Sequence, residues 1–260
     1  MSALSGPPSK PRSILITGGS SGIGAALARL YAEPGVALAL TGRNGERLSG
    51  VAEACRSAGA EVRAEPVAVT EPAALRAWIA AVDEAAPLDL VIANAGISAG
   101  TGGDGETEQQ TREIFATNLD GVVGTVLPAV ERMRPRRRGQ IAIMASLAAF
   151  RGFPGAPAYC ASKAAVRVWG ESLRSDLARE GIGVSVICPG FVKSPMTAVN
   201  RFPMPFLMET DAAARTIRRG LERNRPRIAF PWPLYALVWT LSALPPMLVD
   251  PLLARLPRKD

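Results

Sequence analysis

Histidine is missing altogether from the 260 residues, which removes histidine metal ligands and every Ser-His-Asp or Cys-His nucleophile arrangement. Hydrolase readings lose most of their support. Cysteine is scarce: Cys55, Cys160 and Cys188 are odd in number and widely spaced, with no CxxC pair, so neither a disulfide framework nor a zinc site is implied and no metal is expected. That usage fits a reducing cytoplasm. The first segment, residues 1–12 (MSALSGPPSKPR), lacks the apolar stretch of a signal peptide and reads as a flexible tail. Aromatic residues are few and form no basic stripe with aromatics interleaved, so the formal charge of +7 and the basic cluster Arg134 to Arg138 read as a solvated face. No nucleic-acid partner is expected.

What the chain does contain is apolar sequence, 48% of it, enough for the core of one large domain. Short apolar runs alternate with Ala-rich helical stretches, which is the βαβ pattern of a parallel sheet covered on both faces. Strands are predicted at Ser13 to Thr17, Val36 to Thr41, Glu61 to Val69, Leu88 to Ala93, Gln140 to Ala145, Gly183 to Ile187 and Arg227 to Phe230. Helices are predicted at Gly24 to Glu33, Arg47 to Ala58, Pro72 to Ala85, Glu108 to Arg134, Ala158 to Glu180 and Asp211 to Asn224. The expected fold is α/β, a Rossmann-type doubly wound parallel sheet in three αβα layers. It would form a single domain over 13–230, followed by an apolar extension over 231–260.

The first strand runs directly into Thr17-Gly18-Gly19-Ser20-Ser21-Gly22-Ile23-Gly24 and then a helix. In that context Gly18, Gly22 and Gly24 let the backbone turn tightly and approach a pyrophosphate, met by unpaired N–H groups and the positive end of the helix dipole. A dinucleotide is the expected ligand. At the end of the second strand, Thr41-Gly42-Arg43-Asn44 carries no acid to accept from a ribose 2′-OH, and Arg43 suits a 2′-phosphate, so NADP(H) is favoured over NAD(H). The fourth strand ends in Asn94-Ala95-Gly96, small enough for the backbone to pass close to the adenosine ribose.

Asn118, Ser146, Tyr159 and Lys163 form the chemical group. Lys163 follows Tyr159 by four positions on a predicted helix, so both lie on one face and an ammonium beside the phenol would favour its ionised form. A free tyrosine, with a pKa of about 10, is a poor base at neutral pH.

TGGSSGIG at 17–24, NAG at 94–96, Asn118, Ser146, Tyr159-xxx-Lys163 and Pro189-Gly190 occur in the order and spacing of the short-chain dehydrogenase/reductase family. The chain resembles that family over most of its length. The resemblance implies that Tyr159 passes a proton to or from the substrate oxygen, that Lys163 lowers the phenol pKa and binds the nicotinamide ribose, that Ser146 holds the carbonyl oxygen, and that Asn118 binds a water linking Lys163 to solvent. It further implies dinucleotide contacts at Gly18, Ser20, Ser21, Gly22, Ile23, Gly24, Arg43, Val69, Asn94, Ala95 and Gly96. Tyr159, Lys163, Pro189, Gly190, Val192 and Ser194 complete that set, and Ser146, Tyr159, Phe191 and Met196 would meet the substrate. Two positions depart from the family pattern: Ala68 stands where an acid usually touches the adenine, and Ser194 where threonine is usual.

The segment 191–210 is rich in Met, Phe and Pro, which as a lid would suit an apolar or bulky carbonyl or alcohol and as a surface would suit a subunit contact. Ile228 to Val249 holds no charged residue, but Pro231, Pro233, Pro245 and Pro246 interrupt it, so it does not read as a membrane span. It would pack on the domain or a partner subunit, or lie at a membrane surface. The expected protein is therefore a cytoplasmic NAD(P)(H)-dependent oxidoreductase, homodimeric or homotetrameric by the resemblance, with peripheral membrane contact as a second location. The alternative is a non-catalytic dinucleotide sensor or membrane-peripheral scaffold on the same fold.

Overall fold

β1 (Ser13–Thr17) reads SILIT and is buried at every position, as a strand covered on both faces must be. It is followed by α1 (Gly22–Tyr31), β2 (Ala37–Thr41), α2 (Gly45–Ser57), β3 (Glu61–Glu65), α3 (Pro72–Ala85) and β4 (Leu90–Ala93). The second half continues with α4 (Glu108–Phe115), α5 (Gly121–Met133), β5 (Gly139–Met144), α6 (Pro157–Ala178), β6 (Ile182–Pro189), α7 (Pro195–Ala198), α8 (Thr210–Glu222), β7 (Arg227–Phe230), α9 (Trp232–Ala243) and α10 (Pro246–Leu253). This computed structural model describes residues 10–98, 105–200 and 202–254. Residues 1–9 of the expected N-terminal tail, and residue 201 of the expected lid, lie outside the described residues. Arg12 is not loose: its N–H donates to Asp89 Oδ2 at 2.8 Å and its carbonyl accepts from Ala37.

All seven strands form one parallel sheet in the order β3-β2-β1-β4-β5-β6-β7. The fold is the expected doubly wound α/β domain. One face packs on α1, α2 and α8, and the other on α3, α5 and α6, giving two apolar cores separated by the sheet. The outer strand β3, EVRAE, is half-solvated and carries the Arg63–Glu65 ion pair, which discourages edge-to-edge pairing. Strand order reverses between β1 and β4, so a crevice opens beyond their carboxyl ends, where ligands of such sheets bind.

Two segments differ from the sequence expectation. β3 stops at Glu65 rather than Val69, because Thr41 Oγ1 both accepts from Val67 N–H and donates to Val67 O, turning the chain off the sheet edge. The single helix predicted over Glu108 to Arg134 is divided by a π-helical turn at Ala116–Asp120. Asn118 sits in that turn with its side chain drawn sideways to Ile97 and Ser162, and Gly121 just after it approaches Val69 too closely for any Cβ. The arginine cluster is exposed at every position, as expected, and is also bonded to the fold. Arg134 pairs with Glu180, Arg136 with Asp83, Arg138 with Asp89, and Arg137 donates to Arg179 O, so these cations serve the fold's own carboxylates and carbonyls.

Candidate active site

The glycine loop is shaped by close approaches. Gly18 and Gly22 have φ of 69° and 53°, the left-handed region where a side chain is strained. Gly24 is helical, but a Cβ there would lie 2.3 Å from Gly18 O and 2.6 Å from Asn94 Nδ2. Asn94 is the pin of this loop: its Nδ2 donates to Thr17 O at 3.0 Å and Gly18 O at 3.2 Å, while its own N–H and that of Ala95 donate to Thr17 Oγ1. β4 thus holds the end of β1, and the first turn of α1 faces the crevice with Ser21 at its N-cap making no side-chain cap. The N–H groups there are left for a ligand anion.

A cleft of about 730 Å³ runs from Gly18, Ser20, Ser21, Gly22 and Ile23 at one end to Ser146, Tyr159, Lys163 and Met196 at the other. Val69, Asn94, Ala95, Gly96, Pro189, Gly190, Val192 and Ser194 line the span between. These residues fit an elongated dinucleotide, with a glycine cradle at one end and titratable groups at the other. Arg43 lines the cleft beyond β2, and so does Arg47, which sequence reasoning missed. Neither guanidinium has an ion-pair partner among the described residues. Arg47 stands in the first turn of α2, where the helix dipole disfavours a cation by roughly 0.3–1 kcal/mol, and a cation in that place was the available signal.

Ser146 follows β5, Tyr159 and Lys163 lie on α6, and Asn118 lies in the π turn; the fold brings all four to one end of the cleft. Ser146 Oγ accepts the Ala148 N–H at 3.1 Å, capping the short 3₁₀ turn Leu147–Ala149, and reaches Pro189 O at 3.5 Å. Lys163 is buried, donates from Nζ to Met144 O at 2.9 Å, and lies 5.9 Å from the centre of the Tyr159 ring. Burial pulls its ammonium down from 10.5 to about 8. Asn118 is fully buried, with both amide protons given to Ile97 O and Ser162 Oγ. A Cβ on Gly96 would lie 3.2 Å from both Asn118 Oδ1 and Lys163 Nζ, so these two atoms share one small space.

The pull expected of the Lys163 ammonium on the phenol is opposed by burial. Burial pushes Tyr159 up, and the opposing pull comes from the hydrogen bond with Ser146. The ammonium donates to a backbone carbonyl instead, and both groups are desolvated together. Phe191, expected to meet the substrate, is not among the residues lining the cleft; it is half-buried against the core and packs edge-to-face on Phe202 at 6.0 Å. Gly24 and Asn118 likewise stand behind the cleft wall rather than on it. Sequence reasoning missed Ile97, Glu113 and Thr117 on the wall, which no motif marks.

A family model described as short chain dehydrogenase matches residues 12–203. The chain is 40% identical over 246 residues to an uncharacterized oxidoreductase of Myxococcus xanthus, spanning 94% of this chain and 97% of that one. It is 35% identical over 197 residues to a putative ketoacyl reductase of granaticin polyketide synthase from Streptomyces violaceoruber, spanning 75% of this chain and 72% of that one. Among solved structures, a short-chain dehydrogenase from Sphingobium yanoikuyae in complex with NADPH superposes with a TM-score of 0.78 at 26% identity, over 95% of this chain and 97% of that one.

Proposed function

The chain belongs to the short-chain dehydrogenase family, an oxidoreductase working with a nicotinamide dinucleotide, and from that premise we propose that it interconverts a ketone or aldehyde with an alcohol on an apolar or bulky substrate, preferring NADPH. The observation that carries the reading is the meeting of Ser146, Tyr159 and Lys163 at one end of a cleft whose other end is the glycine cradle.

The bound nicotinamide supplies or accepts the hydride. Tyr159 gives its phenolic proton to the carbonyl oxygen in reduction and takes it back from the alcohol in oxidation. A phenol held above its ordinary pKa is protonated at neutral pH and so is ready to donate. Ser146 holds the same oxygen as charge develops on it, its Oγ oriented by the Ala148 N–H. Lys163, still cationic at pH 7 with a pKa of about 8, stabilises the phenolate once the proton has gone and can itself yield a proton. Asn118 Oδ1 beside Nζ supports a water-borne proton path from Lys163 to solvent. Pro189, Gly190 and the 192–197 segment close the nicotinamide end, and the thioether of Met196 on the wall supports an apolar substrate.

Arg43 and Arg47 together support NADPH over NADH: two guanidiniums with no ion-pair partner among the described residues line the cleft beyond β2, and Glu113 is the sole carboxylate among the lining residues. Among the described residues no helix is long and apolar enough to cross a membrane. The exposed Trp232, Trp239, Met247 and Leu248 support a contact with a second copy or a membrane surface; size-exclusion chromatography and liposome sedimentation separate these. Fluorescence titration with NADPH and NADH, followed by oxidation of NADPH with a panel of apolar ketones, tests the whole reading. Tighter NADPH binding with turnover is expected. Tight binding with no turnover on any ketone would instead favour a dinucleotide sensor.

A further inference from the structure

The family match ends at residue 203, yet α9, which begins at Trp232, is fastened to the catalytic segment at three levels. Nearest the cleft, a Cβ on Gly190 would lie 2.9 Å from Leu234 Cδ2, 3.1 Å from Pro231 Cδ and 3.4 Å from Leu147 Cδ1. The residue after Ser146 and the first turn of α9 therefore meet over Gly190. In the middle, the Phe150 ring packs edge-to-face on Tyr235 with centroids 5.4 Å apart, and the guanidiniums of Arg167 and Arg227 lie 4.7 Å and 5.3 Å from the same ring. At the far end, Arg151 donates to the carbonyls of Leu241 in α9 and of Leu244, which caps it, and pairs with Asp250 of α10 at 3.2 Å.

The middle level is also a polar hub. Arg227 donates to Tyr235 Oη at 3.0 Å and from Nε to Glu171 at 3.0 Å, and Arg167 donates to Glu171 and, at 3.4 Å, to Ala149 O. Arg167 and Glu171 lie on α6, one and two turns beyond Lys163. The hub thus joins four things: the strap 146–151 carrying Ser146, the helix carrying Tyr159 and Lys163, β7 through Arg227, and α9. Every connection on the strap falls within five residues of Ser146, and the 3₁₀ turn that Ser146 caps transmits them.

We propose that α9 is a positioning element for catalysis, with Tyr235 and Phe150 as the positioning residues that hold Ser146 against Tyr159. This rests on the roles of Ser146 and Tyr159 given above. Catalytic hydroxyls must be held to within a fraction of an ångström, and a 3₁₀ turn of three residues does not supply that rigidity alone. Stacking on Tyr235 and the two cation–π contacts do.

The test compares Tyr235→Phe, which keeps the ring and loses the bond to Arg227, with Tyr235→Ala, which loses both. Both variants leave Tyr31 and Tyr159 as the chain's tyrosines, so tyrosinate absorbance titration, with Tyr159→Phe for subtraction, follows Tyr159 without any turnover. Tyr235→Ala is expected to move the Tyr159 titration relative to Tyr235→Phe when Ser146 is present, and not in a Ser146→Ala background, because the effect travels through Ser146. An equal shift in both backgrounds, or none in either, overturns the proposal. Where a substrate is turned over, kcat should fall about tenfold in Tyr235→Ala and less than threefold in Tyr235→Phe, with the NADPH Kd unchanged. A fall in melting temperature with kcat intact would show α9 to be structural only. If Tyr235→Ala does not fold, Phe150→Leu carries the same titration. A wild type that reduces no carbonyl would count against the dehydrogenase roles, while the titration cycle would still decide whether α9 acts through Ser146.

Discussion

Gly24→Ala sets two physical effects against each other at one atom. The position is an ordinary helical one, so by propensity alone alanine should stabilise α1 by roughly 1 kcal/mol. The added Cβ, however, would stand 2.3 Å from the Gly18 carbonyl oxygen and 2.6 Å from Asn94 Nδ2. Ordinary contact requires a separation larger by roughly 1 Å, and the atom in the way is backbone, with no rotamer to give. Overpacking of this kind costs about 1–3 kcal/mol, so the net loss of stability should be at most about 2 kcal/mol, a few degrees in Tm for a domain of this size. Binding should suffer more than stability. Moving Gly18 breaks the Asn94 pin, whose bonds at 3.0 Å and 3.2 Å hold the loop, and takes the α1 N–H groups out of register with the pyrophosphate. NADPH affinity should drop between about tenfold and a hundredfold, or about 1.4–2.8 kcal/mol. Intrinsic fluorescence titration and a thermal melt on the same sample measure both. A variant that melts at or above wild type and binds NADPH undiminished would refute the close-approach argument and, with it, the role assigned to Asn94.

Tyr159→Phe should cut kcat by a factor of about 10² to 10⁴ while NADPH Kd stays within about threefold; a variant retaining full turnover on a good substrate would remove the proton-transfer assignment. Arg43→Ala and Arg47→Ala should each weaken NADPH about tenfold and leave NADH nearly untouched, with a shallower salt dependence for NADPH; equal effects on both dinucleotides would show that neither arginine reads a 2′-phosphate. Lys163→Met should stabilise the ligand-free protein at pH 7, by at most about 3 kcal/mol, because folding pulls the lysine from 10.5 to about 8. The sign is set by the unfolded chain, which keeps that proton up to 10.5 while the folded chain releases it near 8, so wild type should gain on the variant as pH rises between those values. Chemical denaturation of the two proteins at several pH values measures the gap; a constant gap would mean the buried ammonium is not the cause.

What was legible in the sequence is local. A glycine loop between a strand and a helix, a tyrosine with a lysine four residues on, and strands buried on both faces each leave their signature within a dozen consecutive residues, because backbone geometry and helical periodicity act over that range. The parallel sheet follows from the same alternation, whereas its strand order does not. Tertiary structure decided what depends on residues far apart in the chain. The π turn at Asn118 arises from bonds to Ile97 and Ser162, and the early end of β3 from Thr41 reaching Val67. Phe191, whose place beside Gly190 suggested the substrate, packs on Phe202 and is half-buried against the core. The direction of the Tyr159 pKa was out of reach for the same reason: spacing puts an ammonium near the phenol, but the desolvation that outweighs it is a sum over every segment that covers the ring. So was the hub at Phe150, which joins a turn, a helix, a strand and the C-terminal extension between residues as far as 85 positions apart, Phe150 and Tyr235.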